Sequence, residues 1–250
     1  MLRATGSGAL PAPQPDPPRV DGVEHTEVAR AESERGELVL RERRPDEGGA
    51  PVLELRANGV FVMDSAETTS EVALAAAALE LVAEPREVLV AGLGLGFTLQ
   101  AVLADPRVER CSVVEIEQPL VDWMRDGTIP HGQTLLADER ANVVVADVAL
   151  ALAEAREESY DLVLLDVDNG PAYLVHDGNA ALYAEPFLGL TRRVLRPGGA
   201  LAIWSAAEAP DLERTLKGVY DDVEPLSYAV DLQGREETYW LYVARAKAAR

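Results

Sequence analysis

Three glycines at the end of an apolar run constrain the fold of this chain most strongly. The stretch Val88-Leu-Val-Ala-Gly-Leu-Gly-Leu-Gly-Phe97 places Gly92, Gly94 and Gly96 two residues apart. Such a run is typical of a buried strand that turns into a helix. Glycine lets a ligand approach bare backbone, and the N-terminus of the following helix attracts anionic groups. The stretch therefore predicts an α/β enzyme with a nucleotide-like cofactor.

Strand and helix patterns alternate after this stretch. Strands are predicted near 87–91, 111–116, 142–146, 161–166 and 200–204, and helices near 97–104, 118–126, 148–156, 185–195 and 210–219. This alternation is typical of a parallel sheet with helices on both faces. Two further strands, 222–230 and 238–244, flank Gln233-Gly234 and are predicted to close the sheet as an antiparallel hairpin.

The chain divides into three predicted parts. Residues 1–22 hold five of the sixteen prolines and predict a disordered tail. Residues 23–66 predict a small β-hairpin subdomain, in which Asn58-Gly59 joins two strand-like runs. Residues 67–250 predict a Rossmann-like domain. It opens with a helix near 68–82, for which the sequence predicts a Thr68–Glu71 capping box and an apolar stripe formed by Val72, Ala75, Ala76, Leu79 and Val82.

Composition narrows the class of function. The net charge of -20 disfavours binding to nucleic acid or to an anionic membrane, and it would attract cationic substrates. No apolar run reaches membrane-spanning length, and the single cysteine, Cys111, excludes intramolecular disulfides, so a cytoplasmic protein is expected. His25, His131 and His176 are scattered without metal-ligand spacing, which predicts no metal site.

Acidic residues follow the later strands, where open α/β sheets bind ligands. Glu115 lies 23 residues after Gly92, a spacing suited to binding both ribose hydroxyls. Asp147 suits the exocyclic amine of an adenine. Taken alone it is better explained as a helix N-cap, but the ordered set of acids at the strand ends favours a ligand. Phe97 stands where a nicotinamide dinucleotide motif needs Gly or Ala, which disfavours that cofactor. The predicted cofactor-binding residues are Gly92, Leu93, Gly94, Gly96, Glu115, Ile116, Asp147 and Val148.

Together these residues resemble the class I S-adenosylmethionine-dependent methyltransferase fold. Over about 36–245 the chain is more closely similar to the spermidine synthases, the polyamine aminopropyltransferases. The similar segments are Asn58-Gly59-Val60, Val114-Glu-Ile-Glu117, Leu182-Tyr183 with Phe187, and Leu195-Arg-Pro-Gly-Gly199. The resemblance implies a mostly parallel seven-stranded sheet, S-adenosylmethionine or its decarboxylated form as cofactor, and a homodimer.

The chain also departs from that family. Leu95 replaces the Asp that holds the amine of the decarboxylated cofactor, and Val62 replaces a Gln of the N-terminal hairpin. Glu67-Thr-Thr-Ser-Glu71 replaces the helix start that lines the polyamine pocket, and Asp166-Val-Asp-Asn-Gly-Pro171 replaces the Asp-Ser-x-Asp-Pro gate. These changes argue against putrescine and the decarboxylated cofactor, but not against a sulfonium cofactor.

Asp166 and Asp168 are the predicted catalytic residues, because a carboxylate beside a sulfonium can orient a nucleophile and take its proton. An Asx-turn at the end of a strand is the structural alternative. Asn169, Tyr173 and Glu67 are the predicted substrate residues.

Three functions follow, in this order. The first is methyl transfer to a small metabolite, with amines among the acceptors. The second is aminopropyl transfer from decarboxylated S-adenosylmethionine, and the third is cofactor binding without catalysis.

Overall fold

The chain forms two sheets in the computed structural model, which describes residues 24–44, 49–232 and 235–246. The strands of the small N-terminal sheet are β1 (Glu24–Ser33), β2 (Gly36–Arg44), β3 (Val52–Ala57) and β4 (Val60–Asp64). The strands of the main sheet are β5 (Glu87–Ala91), β6 (Arg110–Glu115), β7 (Ala141–Val145), β8 (Tyr160–Leu165), β9 (Leu195–Ser205), β10 (Asp222–Leu232) and β11 (Arg235–Arg245).

Helices connect and cover these strands. They are α1 (Thr69–Leu81), α2 (Phe97–Leu103), α3 (Gln118–Asp126), α4 (Gly132–Leu136), α5 (Val148–Glu154), α6 (Glu185–Val194) and α7 (Pro210–Val219), with a 3-10 helix at Asp177–Tyr183. The sequence did not predict α4 or the 3-10 helix, which are too short to show an apolar period. Within the described ranges, none of these helices combines the length and apolarity needed to cross a membrane.

The main sheet confirms the predicted architecture. Its strand order is β10-β11-β9-β8-β5-β6-β7, with parallel pairing from β9 to β7 and antiparallel pairing of β11 with both its neighbours. One buried cluster packs α1, α2 and α3 on one face, and a second packs α5, α6 and α7 on the other. The chain order reverses at β5, which lies between β6 and β8, and a ligand crevice forms at such a point.

The N-terminal sheet has one strand more than the sequence predicts, which is an alternating strand at 37–43 followed by the hairpin around Asn58-Gly59. Its four strands pair antiparallel in the order β1-β2-β3-β4. The predicted turn is confirmed, since Asn58 and Gly59 both have positive φ, 52° and 78°. The sequence missed β1, an edge strand rich in polar residues. From this strand only Ala29 and Ala31 pack against the core, and both are partly buried.

Helix α1 corrects two predictions. Thr68 makes no side-chain capping bond, so the predicted capping box is wrong. The predicted stripe is only partly right, because Val72 is 50% exposed and Ala76 is exposed too. The buried face instead runs through Ser70, Glu71, Leu74, Ala75, Ala78 and Leu79. The predicted tail at 1–22 and the turn at Gln233-Gly234 lie outside the described residues.

Candidate active site

Strand register brings the predicted site residues to one edge of the sheet. Ala91 at the end of β5 pairs with Val114 of β6 and with Leu165 of β8. The next residue on each strand is therefore Gly92, Glu115 or Asp166. Backbone bonds fix the alignment, since Gly92 N donates to Val114 O at 2.9 Å and Asp166 N donates to Ala91 O at 2.9 Å.

A pocket of about 240 Å³ opens at this edge. The predicted cofactor residues that line it are Gly92, Gly94, Glu115, Ile116, Asp147 and Val148. Carboxylates stand at the ends of β6 and β7, and apolar residues such as Ile116, Leu120 and Val148 line the wall of the pocket. These acceptors and the apolar wall fit an adenosine, whose ribose and exocyclic amine need acceptors and whose ring needs an apolar slot.

Glu115 is buried and already holds two backbone groups. Its Oε2 accepts from Leu93 N and its Oε1 accepts from Glu117 N, both at 2.8 Å. Burial raises the pKa of this carboxyl, and the two backbone bonds oppose that rise. Each oxygen keeps a second lone pair for a ribose hydroxyl. Glu115 therefore both shapes the glycine loop and offers acceptors to a ligand.

Asp147 has the N-cap geometry that the sequence allowed. Its Oδ1 accepts from Ala149 N at 2.7 Å and from Leu150 N at 3.4 Å. The side chain also lines the pocket, so the capping role and an adenine role are compatible.

The three loop glycines have different surroundings. Gly92 and Gly94 line the pocket, whereas Gly96 does not. A Cβ at Gly96 would lie 2.7 Å from Leu135 Cδ2 and 2.8 Å from Met124 Cε, so this glycine faces the core. The prediction that Gly96 contacts the cofactor is therefore not supported by its position. Leu93 likewise points into the core and touches the site only through its backbone N–H.

Leu95 is fully buried in the apolar core. Its backbone is held on both sides, because its N–H donates to Met63 Sδ at 3.2 Å and its carbonyl accepts from His131 Nε2 at 2.6 Å. His131 in turn stacks on Phe97, with ring centroids 5.2 Å apart. The loop is thus rigid and carries no carboxylate at residue 95.

A second pocket, of about 70 Å³, meets the first at Val62, Gly94, Asp166 and Asp168. We call it the acidic pocket, because five of its lining residues are Asp64, Glu67, Glu71, Asp166 and Asp168. Its remaining wall is mainly apolar and aromatic, with Trp204 and Tyr239 on the sheet side. Such a lining suits a small cation with an apolar body.

Asp166 stands where the two pockets join. Its Oδ2 accepts from Thr98 Oγ1 at 2.6 Å. Burial raises the pKa of this carboxyl, and the Thr98 bond partly opposes the rise. A carboxylate with a raised pKa in a cleft is suited to accepting a proton.

Glu71 is a site residue that the sequence analysis missed. It lies on the buried face of α1, accepts from Ser70 Oγ at 2.7 Å and lines the acidic pocket. Burial, followed by the charge of Asp166, raises its pKa to about 7. Glu71 stands three and four residues before Leu74 and Ala75, a helical spacing that could have identified it as a buried acid.

The remaining predicted residues, the catalytic candidate Asp168 and the substrate candidates Asn169, Glu67 and Tyr173, separate into two groups. Asp168 lines both pockets at φ 54° and accepts from Asn179 Nδ2 at 2.7 Å, and burial raises its pKa. Asn169 and Glu67 line the acidic pocket, where Asn169 Nδ2 donates to Phe61 O at 3.3 Å. Tyr173 lines neither pocket, so the structure does not bring it into the site.

The N-terminal sheet covers the first pocket through the β1–β2 turn. Arg35 of that turn lines the pocket, lies 3.5 Å from Glu117 Oε1 through Nε, and donates from Nη2 to Asn179 Oδ1 at 3.0 Å. Asn58 fixes the turn, because its Oδ1 accepts from Glu37 N and its Nδ2 donates to Arg35 O. Among the described residues, no group of three or more His, Cys, Asp or Glu side chains is arranged to hold a metal ion.

Comparison with known proteins bears on this geometry. Residues 67–218 match the family model described as the spermine/spermidine synthase domain. Polyamine aminopropyltransferase 2 of Pseudomonas aeruginosa is 34% identical over 151 residues, which are 56% of this chain and 41% of that protein. Putrescine N-methyltransferase 2 of Nicotiana tabacum is 34% identical over 119 residues, 47% of this chain and 31% of that protein.

The chain thus spans less than half the length of these two relatives. Among solved structures, spermidine synthase from Thermotoga maritima superposes with a TM-score of 0.75 at 18% sequence identity, covering 89% of this chain and 74% of that one. This likeness concerns the fold.

Proposed function

Because the chain belongs to the spermine/spermidine synthase family, we propose that it transfers a methyl group from S-adenosylmethionine to the amine of a small metabolite. The observation that carries the proposal is the position of Asp166, which lines both pockets where they meet. A cofactor in the larger pocket and an amine in the acidic pocket would both face this carboxylate.

The larger pocket would hold the cofactor through Glu115, Ile116, Asp147 and the backbone at Gly92 and Gly94. When bound, S-adenosylmethionine supplies a methyl group made electrophilic by the attached sulfonium. The chain's own residues do the rest. The acids of the smaller pocket bind the acceptor as its ammonium ion, and Asp166 takes the proton that the nitrogen must lose, directly or through one water. Thr98 holds the Asp166 carboxylate in place for this step.

Leu95 favours methyl transfer over aminopropyl transfer. The decarboxylated cofactor keeps the amine of S-adenosylmethionine but lacks the carboxylate beside it, so this ammonium needs an acidic partner from the protein. The fully buried Leu95 offers none at the loop.

Aminopropyl transfer is the second candidate. The five acids of the smaller pocket and the similarity to polyamine aminopropyltransferase 2 favour it. A binding protein without catalysis would keep the larger pocket and lack turnover.

The by-products separate these candidates. The protein is incubated with S-adenosylmethionine or its decarboxylated form and a panel of short amines. Methyl transfer releases S-adenosylhomocysteine, and aminopropyl transfer releases methylthioadenosine. Methylthioadenosine alone would replace the proposed reaction by the second candidate, and binding without either by-product would leave the third.

A homodimer and a cytoplasmic location stay predictions. Sedimentation equilibrium at micromolar protein tests the first, and a purely monomeric protein would contradict it.

A further inference from the structure

Trp204 lies beside Asp166 on the sheet side of the acidic pocket. Leu165 of β8 pairs with Ile203 of β9 in parallel register, so Asp166 and Trp204 are the next residues on neighbouring strands, which lie about 4.8 Å apart. Trp204 belongs to the buried cluster on the α1 face, with Leu164 and Ala202. The indole therefore occupies the space next to the carboxylate that faces the acceptor.

Packing alone holds this indole. Trp204 is 9% exposed, and its ring meets Tyr239 edge to face with centroids 5.1 Å apart at 74°. Within the described part of the chain, its buried Nε1 makes no hydrogen bond. Replacing Trp204 by a smaller apolar residue would therefore enlarge the pocket without orphaning a polar partner.

The acidic pocket is small. At roughly 10–15 Å³ for each water-sized group, its volume of about 70 Å³ admits on the order of five such groups. Glu67 and Glu71 line the same pocket as Asp166, which gives a second ammonium an acidic partner. The size matches 1,3-diaminopropane, whereas 1,6-diaminohexane and spermidine exceed it.

We propose that Trp204 determines acceptor length, so that the site takes a compact alkylamine or diamine whose chain lies against the Trp204–Tyr239 edge. This inference rests on the proposed function, because it takes the acidic pocket as the acceptor site. Trp204 limits the pocket by filling space, a role that differs from the charge recognition of the surrounding acids.

The test measures binding rather than turnover. The dissociation constants of 1,3-diaminopropane and 1,6-diaminohexane are determined by calorimetry in the presence of saturating S-adenosylhomocysteine. The wild-type protein should bind the shorter diamine at least tenfold more tightly. W204A should reduce the ratio of the two dissociation constants, longer diamine over shorter, at least tenfold, because it admits the longer chain. W204L keeps an apolar side chain at this position and replaces W204A in the test if W204A does not fold.

Trp240 supplies the matched control. It packs against the cluster on the opposite face of the sheet, so W240A removes an aromatic ring without opening the acidic pocket and should leave the ratio unchanged. An unchanged ratio in folded W204A or W204L, or failure of both diamines to bind the wild type, overturns the inference. If the protein methylates amines but the ratio of dissociation constants does not change in the Trp204 variants, this inference fails and the proposed function stands. Length-selective binding without by-product defeats the proposed function and leaves the inference standing.

Discussion

Asp166 shows how one residue can serve two pockets. Its backbone is tied to β5 and its carboxylate to Thr98, so the group has little freedom to move away from the junction. A base that is held in place before the ligands arrive avoids reorganisation during the reaction.

Replacing this carboxylate should separate binding from catalysis. We expect D166N to lower kcat by about 10²- to 10⁴-fold, the usual contribution of a positioned general base, while affinity for S-adenosylhomocysteine changes little. Steady-state turnover and calorimetry measure the two quantities, and D211N on the exposed surface of α7 is the control. A variant that unfolds would instead indicate a structural role as the end of β8.

Glu71 should make stability depend on pH. Its pKa is about 7 in the folded protein against 4.5 ordinarily, so the folded state binds a proton that the unfolded state has lost between these values. Below about pH 4.5 the carboxyl does not lower the free energy of unfolding. Between pH 4.5 and about 7 it lowers this free energy increasingly, and above pH 7 the loss reaches about 3 kcal/mol at 1.36 kcal/mol per pKa unit.

E71Q removes that penalty. We expect the variant to melt several degrees above the wild type at pH 8 and to show a much smaller gain at pH 5, since about 1 kcal/mol shifts Tm by roughly 2–4 °C in a chain of this size. Thermal melts at both pH values test this. An equal gain at the two pH values would mean that Glu71 is already ionised without cost in the fold.

At the scale of elements, the N-terminal sheet covers the larger pocket, and contact between its β1–β2 and β3–β4 turns holds the cover in place. Gly36, the first residue after the β1–β2 turn, has φ 115°, and a Cβ there would lie 1.8 Å from Asn58 Oδ1 in the β3–β4 turn. The two turns therefore touch without intervening side-chain volume, and Arg35 projects from the pair to Glu117 and Asn179.

Loosening this contact should weaken cofactor binding. N58G keeps the positive φ of the turn but removes both side-chain bonds to the β1–β2 turn. We expect its Kd for S-adenosylhomocysteine to rise roughly three- to tenfold, about 1 kcal/mol, with little change in Tm because the bonds are exposed. N58D, which keeps the acceptor for Glu37 N, should lose less. Identical affinity in N58G and the wild type would show that the cover does not contribute.

The sequence predicted the centre of the main sheet well because β5, β6, β7 and β8 are short apolar runs with a glycine or an acid at or just after their ends. The limits of α3 and α7 were predicted residue for residue, at 118–126 and 210–219. It failed where tertiary contacts decide. β1 is ordered by pairing with β2 although it buries little. Glu71 is buried because it lies on the packed face of α1, beside Asp166 and Tyr239 in the acidic pocket. No local pattern places Arg35 over the larger pocket, since its partners lie far along the chain.

For the whole molecule, the net charge of -20 gives the acidic pocket a favourable approach for a cation. Surface charge changes the rate at which protein and substrate associate, so its effect should appear in kcat/KM and should depend on salt.

Raising NaCl from about 10 mM to about 1 M shortens the Debye length from about 30 Å to about 3 Å. We expect kcat/KM for a diamine to fall at least several-fold over this range, with kcat nearly constant. Binding of S-adenosylhomocysteine, which carries an amine and a carboxylate, should respond much less. A salt-independent kcat/KM would show that recognition is confined to short-range contacts inside the pocket.

Gly92 couples the position of the glycine loop to that of Asp166. A Cβ at this position would lie 2.0 Å from the carbonyl oxygen of Asp166, so any side chain there would displace Asp166 along with the loop. Residue 95 is constrained in a different way, because its side chain is fully buried in the apolar core. A substitution at residue 92 would therefore change the distance between the glycine loop and Asp166, whereas one at residue 95 would change the packing beneath the loop.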